Sequence, residues 1–416
     1  MPRFLIIFAI AACYFVFAIL LNSVGTVILQ SINSFDIGKA DASLLEGYKD
    51  LPIAIVSFLV ASIIPRIGYR FALLLALFSV SLVCLITPIM SEFWAIKLLF
   101  ATIGTAFAFV KVSVYSIIGQ LSPDTKSHSS LLNTIEGIFM VGVLSGYWVF
   151  SFYIDGDNPS SMNWLNVYYP LAGVIIITAL VVLIAPIEKP PAKDTATSVV
   201  QDFIEMLKLT YQPLVLVFVI SVFMYVLIEQ GVGTWLPTFN SKVLLLPADI
   251  SVQITSIFAA MIAIGRLGAG FILRKVHWYF FLNICLIGMG AILLLTLPLA
   301  SNIQASPINS LFDAPIAAFL IPLVGLMMAP IYPVINSVIL SSLAVSKQSQ
   351  MTGLIIVFSA LGGTTGSMIT GALFDKVGGQ KAFYLILLPI ALLIISLGVF
   401  RKLSKNMESQ SKAANV

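Results

Sequence analysis

The chain has 416 residues, of which 59% are hydrophobic and 10% charged, with a formal net charge of +4. Soluble domains carry about 25% charged residues, and a mean hydropathy of +1.05 places most of this chain in lipid, where helices satisfy the backbone internally. The small, dispersed positive charge gives no reason to expect a nucleic acid as a partner.

Twelve segments are long and apolar enough for membrane-spanning helices, which need about 20 residues each. The first of them is too long for the core of a signal peptide, which is about 7 to 15 residues. We therefore predict an all-α membrane protein with twelve transmembrane helices. In chain order, spans 1 to 12 are predicted at 4–32, 45–65, 70–90, 92–121, 128–154, 163–187, 212–239, 248–275, 278–300, 313–343, 348–374 and 380–401.

One long polar connection divides the spans six and six. Within it, residues 199–209 have the apolar spacing of a helix that lies on the membrane surface. The predicted parts are an N-terminal six-helix bundle at 1–187, a cytoplasmic linker at 188–211, a C-terminal six-helix bundle at 212–401 and a cytoplasmic tail at 402–416.

The basic residues predict the orientation, because short loops rich in Lys and Arg stay in the cytoplasm. With the N-terminus inside, the cytoplasmic connections hold most of them, and the other side holds only Lys39, Lys242, Lys376 and Lys381. We expect both termini to be cytoplasmic and the protein to be a monomer in the cell (inner) membrane, in contact with the lipid bilayer.

Metal and cofactor chemistry has little support in the sequence. His128 and His277 fall in connections without a Cys or acidic neighbour at ligand spacing, and metal ligands come in clusters. No stretch resembles a phosphate-binding loop with Gly-x-x-x-x-Gly-Lys-Ser/Thr. We expect no metal site, no cofactor and no use of ATP.

Two short connections match each other in the two halves. Ala61-Ser-Ile-Ile-Pro-Arg-Ile-Gly-Tyr-Arg70 follows span 2, and Gly270-Phe-Ile-Leu-Arg-Lys-Val276 follows span 8, preceded by Gly265-Arg266-Leu267. Together with Gly371–Gly378 after span 11, and Lys97 with Gly104 in span 4, they resemble the major facilitator superfamily. The family's usual acid is replaced by Pro65 and Arg274. The resemblance implies two pseudo-symmetric six-helix bundles and transport by alternating access.

A narrower resemblance concerns spans 7 and 10. The stretches Glu229–Phe239 and Gly325–Pro333 are similar to parts of the fucose/galactose–proton symporter branch, which implies a sugar and a proton. Members of that branch use an acid in span 1, where this chain offers only Asn22. Glycine and proline in both stretches predict broken helices, which in transporters form substrate sites and gates.

Charges inside the membrane are the main functional candidates, because each costs about 2.5 to 3.5 kcal/mol at a helix centre. Lys111 and Glu136 lie at matching depth, ~12 to 14 Å from the loop that joins their helices. We predict that they form an ion pair, with either a structural or a functional role. We predict a second pair between Asp50 and Lys97, and we interpret Glu46 and Lys49 as wetted interface residues.

The remaining candidates follow from residue type and position. Glu229, which has no basic residue within a turn, is the first proton-coupling candidate, because a carboxyl group in an apolar setting binds a proton more readily; Asp50 and Glu136 are the others. Aromatic rings could stack on a solute, but interface belts also collect Trp and Tyr. The substrate-binding candidates are Asn22, Lys111, Tyr115, Tyr225, Trp235, Tyr332 and Asn336.

Three functions compete at this point. The leading hypothesis is a secondary transporter that moves a small polar solute, a sugar or another organic metabolite, together with protons. A proton-driven exporter of drugs or metabolites would use the same fold. A polytopic membrane enzyme would need a catalytic constellation, and no His lies deeper in a predicted span than its first residue, His128 at the start of span 5, so we do not expect an enzyme.

Overall fold

The computed structural model describes residues 2–122, 124–187, 204, 206–301, 303, 308, 310–342 and 345–414. Within these residues, eleven helical stretches are long and apolar enough to cross a membrane. Span 2, a 29-residue helix at Lys39–Ile67, supplies the twelfth. The predicted all-α fold with twelve transmembrane helices is confirmed.

The first half begins with an interrupted helix. Span 1 consists of Pro2–Asn22 and Val24–Ser34, and the intervening Ser23 donates a side-chain hydrogen bond to the carbonyl of Leu20 at 2.8 Å. The other helices of this half are Lys39–Ile67, Tyr69–Met90, Phe93–Leu121, Thr125–Ser151 and Tyr168–Ile184 for spans 2 to 6, with a 3-10 turn at Asn163–Val167 before the last.

The second half contains the predicted breaks. Span 7 is interrupted after Gly233, and span 10 is interrupted at Pro330, as the glycine and proline positions predict. The helices are Pro213–Gly233 and Leu236–Lys242 for span 7, Ala248–Ile272 for span 8, Trp278–Thr296 for span 9, Ile316–Leu320, Val324–Met328 and Ile331–Ser342 for span 10, Val345–Val377 for span 11, and Gly379–Leu385 and Leu387–Ala414 for span 12.

Most of the predicted linker, residues 188–203 and 205, lies outside the described residues. Of the predicted surface helix at 199–209, only residues 204 and 206–209 are described, and residues 204 and 206–208 are α-helical. The predicted tail begins inside a helix, because the last helix continues from Leu387 to Ala414.

The chain forms two compact units, Met1–Ala196 with Leu246–Ser256, and Thr197–Leu245 with Ile257–Val416. In the first unit, span 1 packs against span 5, span 2 against span 4, and span 3 against span 6. In the second unit, span 7 packs against span 11, and span 9 against span 12. The pairing of spans 1 and 5 thus corresponds to that of spans 7 and 11, and the pairing of spans 3 and 6 to that of spans 9 and 12.

Glycines allow the closest of these contacts. A Cβ at Gly104 would collide with the backbone carbonyl of Lys49, where span 4 meets span 2, and a Cβ at Gly265 would collide with the carbonyl of Leu326, where span 8 meets span 10. Lipid offers no hydrophobic drive for helix association, so close packing of small residues takes its place. The first of these contacts also covers the polar residues around Lys49 in span 2.

Candidate functional site

One polar cluster of the first unit lies where spans 1, 4 and 5 meet. Phe107, Lys111 and Tyr115 follow one another at intervals of four residues, so they share a face of span 4. The hydroxyl of Tyr115 donates a hydrogen bond to Oε1 of Glu136 in span 5 at 2.9 Å. The ammonium of Lys111 lies 6.0 Å from the ring centroids of both Phe107 and Tyr115.

Aromatic rings back these charged groups. The ring of Tyr14 in span 1 lies 6.1 Å from Phe107, 6.3 Å from Tyr115 and 5.7 Å from Phe139. Tyr14 is buried, whereas the side chain of Tyr115 is 40% exposed. Lys111 and Glu136, which are both half-buried, thus lie beside a group of packed aromatic rings. We call this set the N-terminal cluster: Tyr14, Phe107, Lys111, Tyr115, Glu136 and Phe139.

The predicted direct ion pair between Lys111 and Glu136 does not form. The depth argument brings both residues to one cluster, and Glu136 acts electrostatically on Lys111. However, no ion pair within 4.0 Å joins these two described residues. The reason is Tyr115, whose hydroxyl binds the carboxylate and whose ring faces the ammonium.

A second cluster of the first unit lies about two to three turns into span 2, which begins at Lys39. The ammonium of Lys49 contacts the carboxylate of Glu46 and lies 3.5 Å from Oδ1 of Asp50. Glu46 is 0% exposed and Lys49 is 6% exposed, so neither is the wetted interface residue that we predicted. Span 4 covers them, because Gly104 lets it approach the backbone of Lys49. We call Glu46, Lys49 and Asp50 the span-2 triad.

The predicted ion pair between Asp50 and Lys97 does not form either. The ammonium of Lys97 lies 4.6 Å from the ring centroid of Phe93 and 5.9 Å from that of Tyr48, and no ion pair joins Lys97 to Asp50 among the described residues. Lys49, which directly precedes Asp50 in span 2, is instead the cation that lies 3.5 Å from Oδ1 of Asp50.

The second unit has a cluster of its own, where spans 7, 8, 10 and 11 meet. Tyr225 donates a hydrogen bond to Oε1 of Glu229 at 3.2 Å, and its ring lies 5.6 Å from that of Tyr332. The hydroxyl of Tyr332 forms a hydrogen bond with that of Ser359 at 3.1 Å. The charges of Glu229 and Arg266 both act on the two phenol groups. We call Tyr225, Glu229, Arg266, Tyr332 and Ser359 the C-terminal cluster.

Several members of these clusters were not predicted from the sequence. Arg266 was noted only within a Gly-Arg-Leu motif, although it is a charge within a predicted span, as Lys111 is. No signal pointed to Ser359, because a serine in a transmembrane helix is common. Among the described residues, no group of three or more His, Cys, Asp or Glu residues is arranged to hold a metal ion.

The remaining candidates have different surroundings. Trp235, a predicted substrate contact, is fully buried: its indole nitrogen donates to the carbonyl of Ser367 at 3.0 Å, and its ring lies 5.2 Å from Phe374. It therefore belongs to the packing core of its unit. Asn22 donates to the carbonyl of Ala18 at 2.9 Å where span 1 is interrupted, and Asn336 follows Tyr332 by one turn of span 10.

Solved structures with the same fold are transporters. A bacterial homologue of the human lysosomal transporter Spinster, in an inward-facing and occupied conformation, superposes with a TM-score of 0.72 at 16% identity, covering 98% of this chain and 97% of that one. The nucleoside transporter NupG gives 0.69 at 14% identity, with 95% and 98% covered. A D-xylose–proton symporter gives 0.69 at 13% identity, with 96% and 97% covered.

Sequence comparison agrees with the fold. The MFS transporter asaE of Aspergillus flavus is 24% identical over 212 residues, which are 50% of this chain and 43% of that relative, less than half its length. The family model of the Major Facilitator Superfamily matches residues 7–321. With three quarters of its length matched and twelve transmembrane helices in place, this multi-pass membrane transporter belongs to the Major Facilitator Superfamily.

Proposed function

We propose that this transporter moves a small polar organic solute by alternating access and couples the movement to protons, with Glu229 as the proton carrier. The observation that carries the proposal is the carboxylate of Glu229 in the C-terminal cluster, hydrogen-bonded to the hydroxyl of Tyr225. Similar folds named for D-xylose with protons and for nucleosides support a polar organic solute.

The surroundings of Glu229 suit a group that gains and loses a proton. An apolar, water-poor setting favours the neutral acid, whereas water or a nearby cation favours the carboxylate. Tyr225 can donate to the carboxylate or accept from the neutral acid, because a phenol does both. Arg266 supplies a cation in the same cluster. A conformational change that alters these influences changes proton affinity, which is what coupling requires.

Two other acids are alternative carriers. Glu136 is hydrogen-bonded to Tyr115 in the N-terminal cluster. Asp50 shares the Lys49 ammonium with Glu46, and it is the less buried of the two acids, so a proton from water can reach it more readily. The proposal also includes two cytoplasmic termini, a location in the cell inner membrane and a monomeric state.

The test is transport into reconstituted vesicles with and without a pH gradient. Glu229→Gln keeps the shape of the side chain but cannot titrate, so uphill accumulation should be lost while exchange down a gradient persists. Glu92→Gln is the matched control, because Glu92 is an exposed acid before span 4. Accumulation by Glu229→Gln with unchanged pH dependence would refute the assignment, and Asp50→Asn would then be the next variant.

A further inference from the structure

Among the described residues, no carboxylate lies within ion-pair distance of the Lys111 ammonium. Its contacts are the faces of Phe107 and Tyr115, each 6.0 Å away, and within the described part of the chain it has neither a hydrogen bond nor an ion pair within 4.0 Å. A charge inside a membrane-spanning region normally has a partner of opposite charge or a backbone carbonyl, and cation–π contacts with two rings stabilise an ammonium only modestly. An anion beside Lys111 would supply that partner.

The nearest acid is not that anion. The carboxylate of Glu136 accepts a hydrogen bond from Tyr115, and it acts on Lys111 only from beyond ion-pair distance. Lys111 is half-buried, and the side chain of Tyr115 beside it is 40% exposed. Among the described residues, the groups around the ammonium are the rings of Phe107 and Tyr115, the hydroxyl of Tyr115 and the negative charge of Glu136. A second negative charge on the solute would be repelled by Glu136.

We infer that the solute of this transporter is an organic monocarboxylate, whose carboxylate binds the ammonium of Lys111 and whose body lies against the rings of Phe107 and Tyr115. This inference rests on the proposed transport of a small polar organic solute and names its chemical class. Flat or ring-shaped bodies fit best, because the lining consists of rings. A neutral solute or a cation has no carboxylate for the Lys111 ammonium, and a dianion carries a second negative charge that Glu136 would repel.

The first test uses the full-length wild-type protein and solutes that differ by one group. Galacturonate is paired with galactose, and benzoate with benzyl alcohol and with the dianion phthalate. Binding to the native state raises its melting temperature, so one or both monocarboxylates should raise the Tm of the purified protein in detergent, and their partners should not. Equal shifts from the neutral partners, a larger shift from phthalate or no shift from either acid would overturn the inference.

The second test removes the charge. Lys111→Gln should weaken monocarboxylate binding by about tenfold to a hundredfold, the value of a hydrogen bond to a charged group. Lys97→Gln is the matched control, because Lys97 lies in the same helix and also faces aromatic rings, and it should bind as the wild type does. Lys111→Arg keeps the charge and should retain binding even if Lys111→Gln is poorly folded. Unchanged affinity in a folded Lys111→Gln protein would contradict the assignment.

These binding measurements need no pH gradient, so they are separate from the test of proton coupling. Monocarboxylate binding without pH-driven uptake would leave this inference standing and refute the coupling. Proton-driven uptake of galactose but not of galacturonate would refute this inference and leave the coupling standing.

Discussion

The two halves of the chain place polar groups on corresponding spans but use different chemistry there. Spans 1, 4 and 5 contribute a lysine, a glutamate and a wall of aromatic rings. Spans 7, 10 and 11 contribute a glutamate, two tyrosines and a serine, and span 8 adds an arginine. We therefore propose different roles for the two halves, although their helices pair in the same way: Lys111 of the first half binds the solute, and Glu229 of the second half binds the proton.

Spans 2 and 8 also differ. Span 2 carries the triad of Glu46, Lys49 and Asp50, whereas span 8 carries Arg266. A lysine shared by two carboxylates of its own helix suits a structural role, and an arginine whose charge acts on two tyrosines suits a site. Three predictions test these comparisons, in order of decreasing effect.

The largest effect is expected from Lys49→Met. The substitution leaves the buried carboxylate of Glu46 and the half-buried carboxylate of Asp50 without their shared cation, and removal of one partner from a buried ion pair costs roughly 3 to 5 kcal/mol. Unfolding of the purified protein in detergent measures the loss. Lys97→Met is the control in span 4 and should cost about 1 kcal/mol or less, because only cation–π contacts are lost. Equal stability of the two variants would remove the structural role from the triad.

A smaller effect is expected where glycines join corresponding span pairs. Gly104→Ala and Gly265→Ala each place a Cβ against a backbone carbonyl of the neighbouring helix, and overpacking of this kind costs about 1 to 3 kcal/mol. Each has a control in its own helix, Gly119→Ala and Gly268→Ala, where the added Cβ meets open space. If the glycine variant unfolds at a lower temperature than its control in only one half, the two halves do not pack equivalently.

The smallest effect concerns the tyrosines that hold the two glutamates. Tyr115→Phe and Tyr225→Phe each remove one hydrogen bond to a carboxylate. Because the first bond is exposed and the second is part-buried and 3.2 Å long, we expect a loss below that of a buried bond to a charged group, about 0.5 to 1.5 kcal/mol, or roughly two- to tenfold. We expect Tyr115→Phe to change solute affinity, and Tyr225→Phe to change the pH dependence of accumulation. Vesicle transport across a pH series separates the two readouts, and the reverse assignment would show that the halves exchange these roles.

Much of the architecture could be predicted from the sequence, because the membrane imposes it. Apolar segments of sufficient length must be helices, so all twelve spans follow from hydropathy, and the glycines and prolines of spans 7 and 10 mark where those helices break. Helix depth also predicts that Lys111 and Glu136 reach one cluster, since rise per residue is constant in a helix. Family membership followed from short motifs in the connections.

The partners of individual charges were decided only by the tertiary structure. Depth along a helix says nothing about which side chain reaches across, so Tyr115 takes the place predicted for Lys111 beside Glu136. Lys49 likewise takes the place predicted for Lys97, because Gly104 brings span 4 close enough to bury it. The charge on Arg266 is visible in the sequence, but its place beside Tyr225 and Tyr332 depends on how four helices pack. Periodicity determines what each helix can present, and packing determines what each side chain meets.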